Sequence, residues 1–419
     1  MNLLKLDSLK ARICFNSRGN KTIEVDAETN NFIGRSSTPS GKSKGELEAV
    51  EFVDENIDKT LKIFNTYRNE FIGINILNTE KITSKLRQID NTVGYSKIGG
   101  SIAYAISLAI ADLGSKICQK PLYELINFTG NYTMPYPLGN IIGGGSHGTS
   151  GCPDIQEILV CPIGLNNINN CIDFNFLLHK EIGLELKRRF NDFVGGRNDE
   201  GAWINKFNDI EALDLVTSVI DKLIDEYKFK ICIGIDFASS SYWDKNKQLY
   251  IYKNSQSSRT IEDQCEYVEK LINNYNLFYV EDPFHENDVK SFAELTAKFS
   301  NTIIAGDDLF VTNIDRLNSL SESNPCNGAI LKVNQIGSLG EAITFAQKCH
   351  ELNYSIISAH RSGDTIDSHL SHIAVGTQSK LIKTGILGGE RVSKLNELIR
   401  INDSYDSSNI NMANLQIDL

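Results

Sequence analysis

Between Lys230 and Gly385 the chain repeats one pattern: a short apolar run of strand length that stops on a charged side chain and then breaks. Lys230–Asp236, Phe278–Glu281 and Thr302–Asp307 end on carboxylates, whereas Gly328–Lys332, Tyr354–His360 and Leu381–Lys383 end on bases or cations. From Glu281 onward, the terminal residues Glu281, Asp307, Lys332, His360 and Lys383 stand 23 to 28 residues apart. One buried strand, one covering helix and two loops take about 25 to 30 residues, so the pattern predicts successive βα units. Amphipathic stretches such as Leu339–Leu352 fill the gaps at helical period. Strands covered on both faces read as continuous apolar runs, as these do. Closing such units into a barrel brings every strand's C-terminal end to one face, so Asp236, Glu281, Asp307, Lys332, His360 and Lys383 are expected to converge. The 45 residues from Asp236 to Glu281 exceed one unit, and the polar run Asp244–Arg259 reads as an inserted hairpin or loop.

A chain of 419 residues suits a barrel of about 250 residues or more plus a smaller domain. Residues 1–130 read as that smaller α+β domain. Ala11–Phe15 and Thr22–Ala27 flank the turn Asn16-Ser-Arg-Gly-Asn20, and a third strand is expected at Ile33–Ser37. A Gly-, Ser- and Lys-rich loop follows at 38–46, then helical periods over Glu46–Asp54, Glu80–Gln88 and Gly100–Cys118. Residues 131–419 form the predicted α/β barrel. The net charge of −11 argues against a nucleic-acid partner, whose surface is basic. The opening residues hold no apolar core of signal-peptide length, and Ile102–Leu113 reads as a buried helix, so no membrane partner is expected. Nine cysteines without a CxxC pair fit reduced thiols in a cytoplasmic protein.

Carboxylates at neighbouring strand tips repel one another unless a cation lies between them. An all-oxygen set without Cys or paired His favours a hard ion, Mg²⁺ before Zn²⁺. Lys332, one strand beyond the acids, is a candidate base, its pKa lowered by nearby dications and Lys383; the alternative is a salt bridge to the acids. His360-Arg361-Ser362-Gly363 has the donors of an anion site, or is a capped turn. A second loop, Gly143-Gly-Gly-Ser-His147, permits close backbone approach to a ligand. Asp199-Glu200 lies in another glycine-flanked acidic turn. A metal, a lysine base, an acid and an anion site together point to proton abstraction beside a carboxylate.

These residues bring the chain to a known family. Asn16-Ser-Arg-Gly-Asn20, Pro39-Ser-Gly-x-Ser43-x-Gly45, Gly144-Gly-Ser-His147, Gln156-Glu157 and Asp199-Glu200-Gly resemble enolase, phosphopyruvate hydratase, in order. Gly234-Ile-Asp236, Glu281-Asp-Pro, Gly306-Asp307-Asp308, Leu331-Lys332-Val-Asn-Gln, His360-Arg-Ser-Gly and Ile382-Lys383-Thr-Gly continue the resemblance over nearly the whole chain. It implies a TIM-like (β/α)8 barrel behind an α+β capping domain, and Mg²⁺-dependent interconversion of 2-phosphoglycerate and phosphoenolpyruvate. A Lys or His base with one or two Mg²⁺ is the general pattern of such sites. By resemblance, Asp236, Glu281 and Asp307 bind the first Mg²⁺. A second arrives with the substrate, a phosphorylated carboxylate, and is held partly by Ser43. Lys332 removes the C2 proton, and Glu200, helped by Glu157, protonates the departing hydroxyl. Lys383 holds the carboxylate, Arg361 and Ser362 the phosphate, and His147 and His360 line the pocket. The family pattern also implies a homodimer or a higher homo-oligomer such as a dimer of dimers or octamer, with Arg12–Glu390 and Glu24–Arg400 pairing across subunits.

The match breaks in places. Lys42 and Lys44 stand where the family commonly has Ala and Thr, Asn198 where Gly is usual, and Ser371-His372 where Ala-Asp is expected. The family's Arg-Asp-Gly is replaced by Phe52-Val-Asp-Glu55, and Ile386-Leu-Gly-Gly389 is one residue short. These departures motivate two alternatives: a paralogue acting on another phosphorylated hydroxy acid, and a binding or surface protein. The final Gln-Ile-Asp-Leu419 lacks the C-terminal lysine associated with the second.

Overall fold

A computed structural model describes residues 4–42, 45, 47–165, 167–227, 229–404 and 410–415. The chain begins with an antiparallel sheet of β1 (Ser8–Phe15), β2 (Lys21–Thr29) and β3 (Phe32–Ser37) in that order. The β1–β2 turn is built by Asn16, whose Oδ1 accepts the N–H groups of Arg18 and Asn20 at 3.0 and 3.1 Å. Gly19 supplies the positive φ of +71° that this turn needs.

Four helices follow: α1 (Ile57–Tyr67), α2 (Thr79–Ile89), α3 (Gly100–Cys118) and α4 (Leu122–Ile126). Helix α3 is the one described helix long and apolar enough to cross a membrane. It lies inside the fold, against β2 and β3, and its Ser107 Oγ accepts the Leu339 N–H from the barrel side. The approach is close at Gly34, where a Cβ would sit 2.1 Å from the Ala109 carbonyl oxygen. The expected helix over Glu46–Asp54 does not form; its described part is irregular, ending in a 3₁₀ turn at Val53–Glu55. Its backbone bonds go elsewhere: Ala49 N–H donates to Gln335 O and Val50 N–H to Gly94 O. The helix starts instead at Ile57, capped by Asn56, whose side chain accepts the Lys59 N–H.

The rest is a closed eight-stranded barrel with covering helices. Its elements run β4 (Tyr136–Gly143), β5 (Glu157–Ile163), α5 (Ile168–Arg189), α6 (Asp209–Tyr227) and β6 (Lys230–Asp236). The run Asp244–Arg259 becomes a three-stranded sheet of β7 (Trp243–Asp244), β8 (Leu249–Tyr252) and β9 (Ser257–Arg259). Then come α7 (Ile261–Tyr275), β10 (Tyr279–Glu281), α8 (Val289–Lys298), β11 (Ile303–Gly306), α9 (Ile314–Leu320) and β12 (Gly328–Leu331). The chain closes with α10 (Val333–Ile336), α11 (Leu339–Glu351), β13 (Ser355–Ala359), α12 (His369–Gly376), β14 (Leu381–Gly385) and α13 (Gly389–Ser404).

Around the barrel the strands stand in the order β10, β11, β12, β13, β14, β4, β5, β6. The succession of parallel βα units holds for β6 and β10–β14 but not for β5, which is antiparallel to both neighbours. The β4–β5 connection carries only a 3₁₀ turn, Gly145–His147, and no crossover helix. It therefore returns the chain as a hairpin does. The reversal matters for chemistry: β5 begins on the rim where the parallel strands end, so Glu157, its first residue, faces Asp236, the last of β6.

Candidate active site

Register places the acids. Asp236 and Glu281 are paired at the ends of β6 and β10, and Asp307 follows β11. Asp236, Asp307, Lys332, His360, Arg361, Ser362 and Lys383 line one pocket with His147, Glu157 and Glu200. Glu281 lies beneath it, fully buried. The predicted site residues are thus brought together, except Ser43, which with Lys44 lies outside the described residues. Lys42 lines the same pocket.

Lys383 reaches from β14 across the barrel to the acids. Its Nζ lies 2.7 Å from Asp236 Oδ2, 2.7 Å from Glu281 Oε2 and 3.2 Å from Glu157 Oε2. Burial alone would lower its pKa, but these three carboxylates raise it well above the ordinary lysine value. Glu281 Oε2 also accepts the Tyr279 hydroxyl at 2.6 Å, while Oε1 is buried with no hydrogen-bond partner. Burial, then repulsion from Asp236, pushes the Glu281 carboxyl up to about 7. A buried oxygen without a donor, among acids that resist ionising together, fits a hard divalent cation.

Asp307 is held from both sides. Gln335 donates to Oδ1 at 2.9 Å, and Lys332 Nζ bonds Oδ2. Burial opposes its charge, but Lys332 keeps Asp307 below the ordinary carboxylate value. Conversely, burial disfavours the Lys332 ammonium, and Asp307 raises its pKa. Of the two expectations for Lys332, the salt bridge to the acids is the one that forms: Arg361 and Lys383 lower its pKa, but Asp307 outweighs them.

The opposite wall carries His147, Glu157 and Glu200. His147 Nδ1 lies 3.4 Å from Glu157 and 3.7 Å from Glu200. Burial works against the imidazolium, yet Glu200 and Glu157 raise its pKa. Burial and then Glu200 raise the Glu157 carboxyl, while against burial His147, with Arg391, holds Glu200 low. Within the cluster a proton is therefore favoured on His147 and Glu157 over Glu200. Asn140 fixes Glu200 Oε2 at 2.9 Å. Asn198 Oδ1 accepts the N–H groups of Glu200 and Ala202, both at 3.0 Å. Asn198 thereby braces the loop that carries Glu200.

Several supporting residues escaped the sequence reading. Asp282 accepts the N–H groups of Asp307 and Asp308 at 2.9 Å each, fixing the loop after β11. Asp282, Asp307 and Asp308 carry oxygens within 4.8 Å of one another, as do ligand atoms of His147, Glu157 and Glu200. In the first group, Asp282 is already spent on backbone donors. Glu48 pairs with Arg361 at 3.0 Å, a role invisible while the segment was read as a helix. Asp282, Gln335 and Arg391 lay inside or beside the quoted motifs; Glu48 had no such signal.

Comparison with known proteins agrees with the two-domain fold. Residues 6–126 match the family described as Enolase, N-terminal domain, and 131–415 match Enolase, C-terminal TIM barrel domain. The Enolase of Methanosphaera stadtmanae is 38% identical over 412 residues, covering 98% of this chain and 99% of that protein. That of Pyrobaculum aerophilum is 39% identical over 399 residues, covering 94% and 95%. That of Haloarcula marismortui is 38% identical over 405 residues, covering 95% and 99%. With both family domains matched in order and near-complete coverage of these relatives, the chain belongs to the enolase family of hydro-lyases.

Proposed function

We propose that this protein reversibly dehydrates 2-phosphoglycerate to phosphoenolpyruvate with Mg²⁺, and that residues 131–419 form the catalytic barrel capped by residues 1–130. The observation that carries the reading is that Lys332 and the Glu157–His147–Glu200 cluster stand on opposite walls. Lys332 follows β12, and Glu157 opens β5, four strands away around the eight-stranded barrel. A substrate held between them meets a base on one side and a proton donor on the other, as β-elimination requires.

Lys332 takes the C2 proton, and the C3–O bond breaks as Glu200 delivers a proton to the departing hydroxyl, releasing water. Glu157 and His147 supply that proton through their shared cluster. Lys383 neutralises charge gathering on the substrate carboxylate. Arg361 and Ser362, whose Oγ is buried with no hydrogen-bond partner, bind the phosphate. His360 closes the pocket between that loop and Glu200. Asp236, Glu281 and Asp307 would hold one Mg²⁺, with a second arriving with substrate; bound there, the ions offset the carboxylates' charge and that of the substrate carboxylate. Lys332 can act as base once its pairing with Asp307 is relieved.

A homodimer, or a higher homo-oligomer, in the cytoplasm is part of this reading. Nine free cysteines are consistent with a reducing compartment. Within one chain Arg12 already pairs with Glu24 and Asp26, and Arg400 with Glu397. Intersubunit pairs to Glu390 and Glu24 would therefore share or exchange these partners.

The test is ultraviolet absorbance of the enol phosphate with 2-phosphoglycerate and Mg²⁺. Lys332→Ala is expected to lower kcat by about 10²- to 10⁴-fold, and chelator to stop the wild type. Wild-type-like turnover by Lys332→Ala would overturn the assignment of the base.

A further inference from the structure

Arg391 is fully buried in the first turn of α13, where the helix dipole disfavours a cation. A charge in such a place persists only if its surroundings hold it closely. Asp364 Oδ2, 3.0 Å from Nη1, supplies one carboxylate, and Glu390 Oε1 lies 3.4 Å from Nε. The other contacts share a different feature. Nη1 donates to the Arg361 carbonyl at 2.7 Å, and Nη2 to the carbonyls of Ser362 at 2.7 Å and Asp199 at 3.2 Å. Arg361 and Ser362 are the proposed phosphate ligands, and Asp199 precedes the proposed acid. One guanidinium therefore ties two loops that must keep a fixed separation.

Its remaining contact sets a proton. Nη1, whose two protons are shared among this contact, the Arg361 carbonyl and Asp364, lies 2.8 Å from His360 Nδ1, and the Gly385 N–H points to the same nitrogen at 3.4 Å. A guanidinium and an amide can only donate, so Nδ1 is the acceptor and the ring proton resides on Nε2. Nε2 faces Glu200 Oε2 at 3.6 Å.

We propose that Arg391 is a positioning residue for the dehydration: it locks His360 as the neutral Nε2–H tautomer facing Glu200 and fixes the acid loop relative to the phosphate loop. The proposal rests on the roles given above to Glu200, Arg361 and Ser362. Asp364 neutralises the charge, while the remaining N–H donors are satisfied by the two loops and the imidazole, so the same contacts that keep Arg391 buried fix those groups. Lysine keeps the charge but cannot bridge both loops and the imidazole, because it lacks the planar fork.

The experiment is histidine ¹⁵N NMR on the full chain, with kinetics of Arg391→Lys and Arg391→Ala. In the wild type, His360 should show a protonated Nε2 and an unprotonated Nδ1; a protonated Nδ1 overturns the proposal without any variant. Arg391→Lys should mix the tautomers and lower kcat by about 10- to 100-fold, as loss of alignment does. Millimolar guanidinium should restore part of the activity of Arg391→Ala. A folded Arg391→Lys with the wild-type tautomer and kcat, altered only in melting temperature, overturns the positioning role. The tautomer is read without turnover, so failure of the proposed chemistry would appear separately, as full activity in Glu200→Gln.

Discussion

Three of the four cations lining the pocket are already held by carboxylates: Lys332 by Asp307, Arg361 by Glu48, and Lys383 by Asp236 and Glu281. An arriving phosphorylated acid must compete with those partners. Lys42 differs, because its ammonium makes no hydrogen bond or ion pair with any described residue while its side chain lines the same pocket. In a chain of net charge −11, an exposed cation at the mouth attracts an anionic substrate at little desolvation cost. Lys42→Ala should therefore raise KM about 2- to 5-fold, the scale of one exposed charge pair, and leave kcat unchanged. It should also flatten the decline of kcat/KM with ionic strength. Unaltered KM and salt dependence in the variant would assign Lys42 no part in capture.

Helices α12 and α13 are joined by a histidine–carboxylate pair. His372 sets Nε2 3.2 Å from Glu397 Oε1 and stacks on Tyr123 with centroids 5.9 Å apart. The His372 hydrogen bond, against some burial and with help from Arg400, holds the Glu397 carboxyl down to about 2. A depressed acid stabilises the fold above its unfolded value of 4.5, and that contribution is lost as pH falls from 4.5 toward 2. His372→Asp should remove it and set two carboxylates face to face, costing about 1 kcal/mol at neutral pH and flattening this part of the acid limb. Thermal melts from pH 2 to 7 measure both. The same scale shows what the sequence could reveal. The parallel strands β6 and β10–β14 were legible because each is buried on both faces and carries an ionisable side chain at or near its C-terminal end. Strand β5 lies outside that repeat, because its hairpin return from β4 needs no helix and leaves no spacing to read. Glu46–Asp54 misled because its backbone donors serve Gln335 and Gly94, partners far along the chain. The convergence of acids and bases was legible, and a salt bridge from Lys332 to the acids stood as an alternative; that the partner is Asp307 was not legible, since it depends on which two tips approach.

At the scale of the whole molecule, the barrel closes around a charge cluster that opposes its own stability. Glu281 is fully buried at the end of β10, with its carboxyl raised to about 7 by burial and by Asp236. For a raised acid the sign reverses: stability is fullest below the unfolded value of 4.5 and is lost as pH rises through about 7. Without a cation, ionising this group costs the native state but not the unfolded chain. A divalent ion binding only the native site reverses the penalty, adding about 2.7 kcal/mol at a hundred times its Kd. In chelator, the melting temperature should therefore fall between pH 4.5 and 7 more steeply for the wild type than for Glu281→Gln. With saturating Mg²⁺ the wild type should gain several degrees at pH 7.5, and Glu281→Gln little. The glutamine variant should thus be the more stable protein in chelator and the weaker Mg²⁺ binder. Equal Mg²⁺ stabilisation of both would remove Glu281 from the ion's ligands, and a wild-type melt independent of pH across that window would show that Lys383 alone balances the cluster.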